Sequence, residues 1–316
     1  MIVTVTLNAA LDRTVRVPNF QVGARHRADA SLRLPGGKGV NVARALKCLG
    51  QPVIATGLAG GRAGTYIIEE LTQEGILNDF VRIAQESRTS TAVIDSTSSQ
   101  QTEINEWGPS VQPAELDVLL DKIRYLSKGA DIFVLAGSLP RDVPADYYER
   151  LLRELRRERM ITAVDASGPA LRAALSAEPG VVSPNIREAE EIVGHEFADE
   201  DDIAAAAQTL THMGAGSAII HHEDGCVARI RPEGAKRHRT YRARLPRRAD
   251  IVSTVGSGDA LLAGYLSALY GHQPPEAALS LAVACGAANT QRFGAGVFDP
   301  SDVEALMRRV EVVVDD

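Results

Sequence analysis

The sequence predicts an α/β fold organised around a mostly parallel sheet. From Pro113 onward, helical and strand patterns alternate, which is typical of parallel βαβ units. Polar or glycine residues follow several short apolar strands, as at Asn8 and Gly137, and ligands of open α/β sheets bind beside such strand ends. A glycine turn at 256–258 also opens a helix. The alternating segments are helix 115–126, strand 132–135, helix 147–159 and strand 162–164.

The remaining segments extend this sheet and add two ribbons. Residues 13–34 alternate between polar and apolar types around Pro18 and Gly23, and a polar turn at 96–101 separates two further alternating strands. Alternation on both sides of a polar turn indicates a hairpin. Since no repeat or low-complexity linker interrupts the chain, we expect one domain over residues 1–316. The other expected elements are strands 2–7, 53–58, 91–95, 102–105 and 181–182, and helices 40–50, 66–74, 275–293 and 301–310.

The composition narrows the class of protein. Apolar residues make up 45% of the chain and charged residues 24%, as in ordinary soluble domains. The net charge of -7 offers no overall attraction to nucleic acid or to an anionic membrane, so we expect neither partner. The longest apolar run, 277–288, is too short to span a bilayer, and the amino-terminal residues carry no basic leader. We therefore expect a cytoplasmic protein.

Two smaller features accompany this composition. Cys48, Cys226 and Cys285 have no cysteine or histidine at metal-binding spacing, so we expect buried thiols in a reducing compartment. Residues 236–248 form a basic run that we interpret as a solvated strand pair. The alternative is that one or two of its arginines face a nucleotide. The run contains Lys236, Arg237, Arg239, Arg242, Arg244, Arg247 and Arg248.

The turn at 256–258 is the strongest candidate for a catalytic site. The first residues of a helix carry N–H groups without intrahelical partners at the positive end of the helix dipole, and glycine lets an anion approach them closely. Such a turn can hold the charge of a phosphoryl group. Asp259 follows directly, where a carboxylate can accept a proton from an attacking hydroxyl group. The alternative is an ordinary helix start in which Asp259 only favours the dipole.

A second glycine turn, Pro35-Gly36-Gly37-Lys38-Gly39, also precedes a helix. Three glycines there suggest a close approach of the backbone to a ligand, with Lys38 and Asn41 available as donors. Lys38, Arg25 and Arg88 have no helical carboxylate partner nearby in sequence. We therefore expect these three cations to await an anionic ligand.

Together these motifs resemble the PfkB family of carbohydrate kinases over nearly the whole chain. The resemblance implies a ribokinase-like fold, a three-layer α/β/α sandwich with a small β-sheet lid. Residues 102–106 and Gly108-Pro109, with the turn at 35–39, look like the branch of 1-phosphofructokinase and tagatose-6-phosphate kinase. The matching motifs are Thr6-Leu7-Asn8 with Asp12, residues 35–44, Gly137-Ser138-Leu139-Pro140, Asn185 with Glu188, and residues 255–259.

The resemblance implies a role for each matched residue. Asp259 would be the catalytic base, with the anion hole formed by Gly256, Ser257 and Gly258. Glu188 would organise the magnesium ion, Mg2+. The sugar phosphate would be bound by Asp12, Gly36, Gly37, Lys38, Asn41 and Glu103, with Arg25, Arg88 and Ser138 at its phosphate. The nucleotide, ATP, would be bound by Asn185, Arg187, Glu188, His222, Gly225, Gly256, Gly258 and Asn289.

The same resemblance implies the reaction and the assembly. We expect transfer of the γ-phosphoryl group of ATP to a ketohexose monophosphate. Fructose 1-phosphate is the preferred acceptor, followed by tagatose 6-phosphate and fructose 6-phosphate. The ribbons, residues 12–34 and 88–107, would form the lid and pair two subunits into a homodimer.

Two positions depart from the family pattern. Ser183 stands where a lysine is usual, and the nucleotide-side turn reads His221-His222-Glu223-Asp224-Gly225 instead of carrying two glycines. His222 could narrow the base pocket and change which nucleoside triphosphate fits. The simpler interpretation, which we favour from sequence, is that both histidines face solvent.

Other functions fit the sequence less well. A nicotinamide-dependent dehydrogenase requires a third glycine where Leu261 stands. A sugar-phosphate-binding protein without transfer activity would retain the sugar motifs but lose Asp259 or the glycine turn, and both are present. A zinc pair at His221 and His222 is disfavoured because neighbouring residues of a strand point to opposite faces.

Overall fold

A computed structural model describes residues 1–98, 100–156, 160–245 and 251–315. Strands and helices alternate along most of this length, as the sequence predicted. In chain order the elements are β1 (Ile2–Thr6), β2 (Ala10–Arg16), β3 (Ala30–Gly36), α1 (Lys38–Cys48), β4 (Val53–Gly60), α2 (Gly61–Gln73), β5 (Leu77–Ile83), β6 (Arg88–Ile94), β7 (Gln101–Asn105), α3 (Pro113–Ser127), β8 (Ile132–Ala136), α4 (Tyr147–Leu155), β9 (Ile161–Asp165), α5 (Gly168–Leu175), β10 (Val181–Val182), α6 (Ile186–Val193), α7 (Glu200–His212), β11 (Ala218–His222), β12 (Gly225–Ile230), β13 (Arg239–Arg244), α8 (Ser257–Tyr270), α9 (Pro275–Asn289), α10 (Pro300–Met307) and β14 (Glu311–Asp315).

The large sheet has the strand order β14-β13-β12-β11-β10-β9-β8-β1-β4-β5. The strands from β11 to β5 are parallel, whereas β12, β13 and β14 pair antiparallel at one end. Strands β1 and β8 are buried on both faces, and β8 accordingly consists of apolar residues only.

Helices cover both faces of the large sheet and enclose one apolar core on each side. Side chains of α1, α2, α8, α9 and α10 pack on one face, and side chains of α3 to α7 pack on the other. Alternate residues of a strand contribute to different cores, so Ile2 packs in the first core and Val3 in the second. This arrangement is the predicted three-layer α/β/α sandwich.

A second, four-stranded sheet has the order β3-β2-β6-β7. The two segments predicted as ribbons meet in it: β2 pairs antiparallel with β3 and parallel with β6, and β6 pairs antiparallel with β7. Asp12 lies opposite Leu34 on one side and Ser90 on the other. Because β3 ends at Gly36, immediately before α1, this small sheet is directly connected to the second glycine turn.

Some sequence predictions differ from the structure. The edge strands β5 and β14 were not predicted, because polar residues break the pattern of β5 and β14 is a short valine run near the end of the chain. The basic run forms one strand, β13, between β12 and β14 and not a strand pair. Its members Arg247 and Arg248 lie outside the described residues, as do residues 157–159 of the predicted helix 147–159.

Two arginines of β13, Arg242 and Arg244, are bound to acidic side chains. Arg242 forms ion pairs with Asp201 and Asp315, and Arg244 forms one with Glu200. Of the three cysteines, Cys226 and Cys285 are buried free thiols, whereas Cys48 is only half-buried. No helix within the described ranges has both the length and the apolar character that a membrane crossing requires.

Candidate active site

The carboxyl ends of the parallel strands meet the amino termini of α1 and α8. Gly37 is the N-cap of α1 with a φ of 99°, and α1 packs so closely on the end of β1 that a Cβ on Gly39 would collide with Thr6. This contact brings the first turn of α1 over the edge of the sheet. Lys38 thereby reaches Asp165 at the end of β9, and Asn41 reaches Asp259 in the first turn of α8.

Lys38 does not await an anion, contrary to the sequence prediction. Its Nζ donates to Asp165 Oδ1 at 2.6 Å and to Glu188 Oε1 at 2.9 Å. Burial acts to lower the pKa of Lys38, but the two carboxylates outweigh it and hold this pKa well above its ordinary value. The ammonium group is therefore charged. It joins the carboxyl end of β9 and the first turn of α6 to α1.

The glycine turn at 256–258 forms the amino terminus of α8. Gly256 is the N-cap in the left-handed conformation with a φ of 76°, which favours glycine, and a Cβ there would collide with Ala295. The N–H of Ser257 donates to Thr254 O at 3.2 Å. The N–H groups of Gly258 and Asp259 have no acceptor among the described residues, so they are available to an anionic ligand.

Asp259 is 6% exposed and lies in the first turn of α8. Its Oδ2 accepts a hydrogen bond of 2.8 Å from Asn41 Nδ2 of α1. Burial, reinforced by the neighbouring Asp165, raises the pKa of Asp259 well above that of an ordinary carboxyl, although Lys38 and Asn41 oppose the shift. The hydrogen bond of the Asp259 side chain with Asn41 is thus a tertiary contact and not a cap on the helix start. The raised pKa of Asp259 suits a group that accepts a proton.

Asp12 faces the site from the small sheet. The Asp12 carboxyl group occupies the position that a Cβ on Gly36 of the paired strand β3 would take. Burial raises the pKa of Asp12 to about 6 against the opposing charges of Arg88 and Arg44. Glu103, which is exposed on β7, also acts to raise the pKa of Asp12. The structure therefore places Asp12, Gly36, Arg88 and Glu103 in one neighbourhood.

Asn8 connects Arg88 with Ser138. Arg88 Nε donates to the carbonyl of Asn8 at 3.3 Å, and Asn8 Nδ2 donates to Ser138 Oγ at 3.0 Å. These bonds join the small sheet to the carboxyl end of β8 and bring Arg88 and Ser138 close together. Arg25 is exposed in the loop between β2 and β3, where no described residue forms a hydrogen bond or ion pair with it.

Asn185 and Glu188 form a capping box at the start of α6. Asn185 Oδ1 accepts from the N–H of Glu188, and Glu188 Oε2 accepts from the N–H of Asn185, each at 2.9 Å. Arg187 is exposed beside them. Ser183 is fully buried, and its hydroxyl has no partner among the described residues. Nowhere in the described chain do three or more acidic, histidine or cysteine side chains form a cluster that could bind a metal ion.

Asn289, which the sequence predicted to bind the nucleotide, has both polar atoms of its side chain bonded within the protein. It is completely buried, its Nδ2 donates to Val255 O and its Oδ1 accepts from Gly296 N, both at 2.7 Å. These bonds hold the residue before Gly256 against the loop that follows α9. Asn289 therefore stabilises the position of the glycine turn through hydrogen bonds to the backbone on its buried side.

Two further residues contribute to the site although their roles were not predicted. Asp165 ends β9 and binds Lys38; its signal was a carboxylate at the end of a buried strand. Arg44, on α1, is buried and donates to Pro35 O and Ala295 O, and it pairs with Glu74. The sequence offers no comparable signal for Arg44, because its partners are far apart along the chain.

The nucleotide-side turn borders a cavity of about 300 Å³ beside the amino terminus of α8. Both His221 and His222 line it and both are half-buried, so the favoured interpretation that they face solvent is wrong. His221 contacts Gly258, while His222 Nε2 lies 3.9 Å from Glu200 Oε1 of α7. The other lining residues are Glu223, Asp224, Gly225, Leu245, Ile251, Thr254, Ser257, Leu261, Val283, Gly286, Ala287 and Thr290.

The geometry can be compared with known proteins. The family model described as pfkB family carbohydrate kinase matches residues 5–302. The chain belongs to the PfkB family of carbohydrate kinases. It is thus a phosphotransferase that acts on a hydroxyl group, and the dehydrogenase alternative is wrong.

Solved structures similar to this PfkB kinase include two sugar-phosphate kinases. Escherichia coli phosphofructokinase-2 in complex with substrates and products is 27% identical with a TM-score of 0.89, covering 97% of this chain and 98% of the other. A "possible 1-phosphofructokinase" from Thermotoga maritima is 27% identical with a TM-score of 0.88, covering 100% of both chains. Arabidopsis thaliana ribokinase, at 21% identity and a TM-score of 0.73 over 97% of this chain and 98% of that one, shows the shared fold.

Proposed function

We propose that this PfkB kinase is a 1-phosphofructokinase, which uses ATP to convert fructose 1-phosphate to fructose 1,6-bisphosphate. The observation that carries the proposal is the position of Asp259. Its carboxylate is buried and has a raised pKa. It lies in the same helical turn as the N–H groups of Gly258 and Asp259, which have no acceptor among the described residues. Phosphoryl transfer requires a group that accepts the hydroxyl proton and donors that stabilise the charge on the phosphoryl oxygens. A proton acceptor beside an anion hole meets both requirements.

The residues divide the reaction between them. Asp259 accepts the proton as the sugar hydroxyl oxygen forms its bond to the γ-phosphorus, and the bond to the bridging oxygen breaks with its electron pair leaving on ADP. The N–H groups of Gly258 and Asp259 stabilise the charge on the phosphoryl oxygens. Lys38 stays positively charged beside this position because Asp165 and Glu188 bind it.

The site suits a magnesium ion (Mg2+) that arrives with the nucleotide. Asp165 and Glu188 bind the same ammonium group from two sides, so both carboxylates border one small region. Magnesium is commonly bound through one or two carboxylates together with substrate phosphates and water, and a cage of three protein ligands is not required. When bound, the ion would neutralise phosphate charge, and Glu188 is the residue that we propose faces it.

A phosphorylated acceptor is favoured by the cations on the sugar side. Arg88 and Ser138 are brought together through Asn8, beside Asp12 and Asn41, and Arg88 can bind an anion with its guanidinium group. A related structure supports a phosphorylated sugar as the acceptor, because Escherichia coli phosphofructokinase-2 has been solved in complex with fructose 6-phosphate. Fructose 6-phosphate and tagatose 6-phosphate are therefore the alternative acceptors.

The small sheet lies close over the sugar side. The cavity between Asp12, Asn41 and Leu34 measures about 10 Å³, much less than a hexose phosphate occupies. Ser253 Oγ donates to Gln101 Oε1 of β7 at 3.4 Å, which links the small sheet to the loop before α8. We propose that the sheet acts as a lid and moves outward to admit the sugar.

A panel of acceptors tests the proposed activity. ADP release is measured with fructose 1-phosphate, fructose 6-phosphate, tagatose 6-phosphate, ribose, adenosine and fructose at equal concentrations. We expect the highest kcat/KM with fructose 1-phosphate and little release with the unphosphorylated sugars. Preference for ribose, adenosine or fructose would contradict a sugar-phosphate kinase. Binding of fructose 1-phosphate without ADP release would support the alternative of a binding protein.

A further inference from the structure

His221 is held at the junction of the large cavity and the catalytic residues. Its backbone N–H donates to Pro184 O at 3.1 Å, and its strand bridges to Asn185 before α6. Ile219, two residues earlier, packs in the core on the side of α8, whereas Ile220 packs in the opposite core. The alternation of strand residues therefore directs His221 toward α8 and His222 toward α7.

The His221 ring packs against the glycine turn. The position that a Cβ on Gly258 would occupy is 2.6 Å from Cε1, 2.8 Å from Nε2 and 3.4 Å from Nδ1 of His221. The ring edge thus lies directly beside Gly258, whose backbone N–H has no acceptor in the described part of the chain. Within the described ranges, no residue forms a hydrogen bond with the ring nitrogens of His221.

Burial of His221 favours the neutral form of its ring. Burial, together with Lys38, lowers the pKa of His221 to about 4, against the opposing effect of Glu188. A neutral imidazole has one N–H donor and one acceptor nitrogen. It can therefore donate to an anion next to Lys38 without adding a second full positive charge.

The cavity is lined by both apolar and polar groups. Apolar side chains, among them Leu245, Leu261 and Val283, form the walls that suit a flat base. His221, Ser257 and Gly258 lie together at the part next to the first turn of α8. A phosphate held by the backbone N–H groups at the first turn of α8 would lie beside His221.

We propose that His221 donates a hydrogen bond to the phosphate chain of the bound nucleotide and so extends the anion hole of Gly258 and Asp259. The proposal rests on the proposed nucleoside triphosphate donor. His221 would be a phosphate-contacting residue on a strand, in addition to the backbone donors of α8. His222, which lies against Glu200 on the other face, would not share this role.

Ligands of increasing phosphate number test the proposal. Dissociation constants of adenosine, AMP, ADP and the β,γ-imido analogue of ATP are measured for the parent and for His221→Leu, His221→Gln and His222→Leu. We expect His221→Leu to weaken ADP and the analogue about tenfold or more, as for a lost hydrogen bond to a charged group, and adenosine by less than about twofold. His221→Gln retains a donor and should recover most of the affinity. His222→Leu should show no loss that grows with phosphate number.

The outcomes separate this proposal from the proposed function. Equal losses for adenosine and ADP would show that the ring is only a cavity wall, and unchanged ADP binding would show no contact; either result contradicts the proposal. A parent protein that binds none of the nucleotides would contradict the proposed donor itself. If His221→Leu does not fold, the His221 ring signals of the parent, assigned by NMR with His221→Gln, should shift on adding ADP but not on adding adenosine.

Discussion

At the scale of single residues, the site depends on where carboxylates are buried. Asp259 lies in the first turn of α8, Asp165 ends β9 and Asp12 lies near the start of β2. Their neighbours are not visible in the sequence: the bond between Asn41 and Asp259 spans 218 residues, and the bond between Lys38 and Asp165 spans 127. The sequence therefore predicted candidate residues that the structure brings together, such as Asn41 and Asp259, but not that Lys38 is already paired.

The pH dependence of turnover should report the Asp259 carboxyl group. A base must be ionised to accept a proton, so kcat/KM should fall as the pH drops through the raised pKa of Asp259. The bond from Asn41 favours the ionised form and lowers this pKa. Asn41→Ala should therefore move the acid limb of the profile to higher pH. An acid limb that stays in place or moves to lower pH would argue against Asp259 as the group that titrates.

At the scale of elements, helix starts and strand ends were predicted better than edge strands. The glycine turns before α1 and α8 have clear signals, because few other residues tolerate those backbone conformations. The edge strand β5 includes Asn78, Asp79 and Arg82, so its pattern resembles a loop. The burial of His221 and His222 could not be predicted either, since it arises from α7 and α8 packing around the end of β11.

The position of the turn before α8 should depend on Asn289. Asn289→Ala removes the partners of Val255 O and Gly296 N, and unpaired buried backbone groups cost about 1 to 3 kcal/mol each. We expect a lower free energy of unfolding by urea and a lower kcat, because Gly256 loses its support. Asn78→Ala, on edge strand β5, is the matched control and should leave kcat within about twofold. If Asn289→Ala keeps the stability and the kcat of the parent protein, the proposed support of Gly256 by Asn289 is contradicted.

At the scale of the whole molecule, the small sheet offers a surface for a second subunit. Trp107 is 84% exposed just after β7, and Ile104 on β7 is 59% exposed. Exposed apolar side chains beside an edge strand are typical of surfaces that another chain covers. We propose that two subunits pair through residues 12–34 and 88–107.

Light scattering tests this assembly. The parent protein should have the mass of a dimer, and Ile104→Lys combined with Trp107→Glu should shift it toward the monomer. Val118→Lys, at an exposed apolar position on α3, is the matched control and should remain dimeric. A parental monomer at working concentration, or a dimer that tolerates the paired charges, would contradict the arrangement.

The central claim is that Asp259 accepts the proton of the attacking hydroxyl group, and Asp259→Asn tests it most directly. Asparagine retains an oxygen that can accept the bond from Asn41, so the fold around α1 and α8 should persist. Steady-state kinetics with ATP and fructose 1-phosphate should show kcat lower by about 10² to 10⁴ with KM values changed only a few-fold. Turnover close to that of the parent would contradict the assignment.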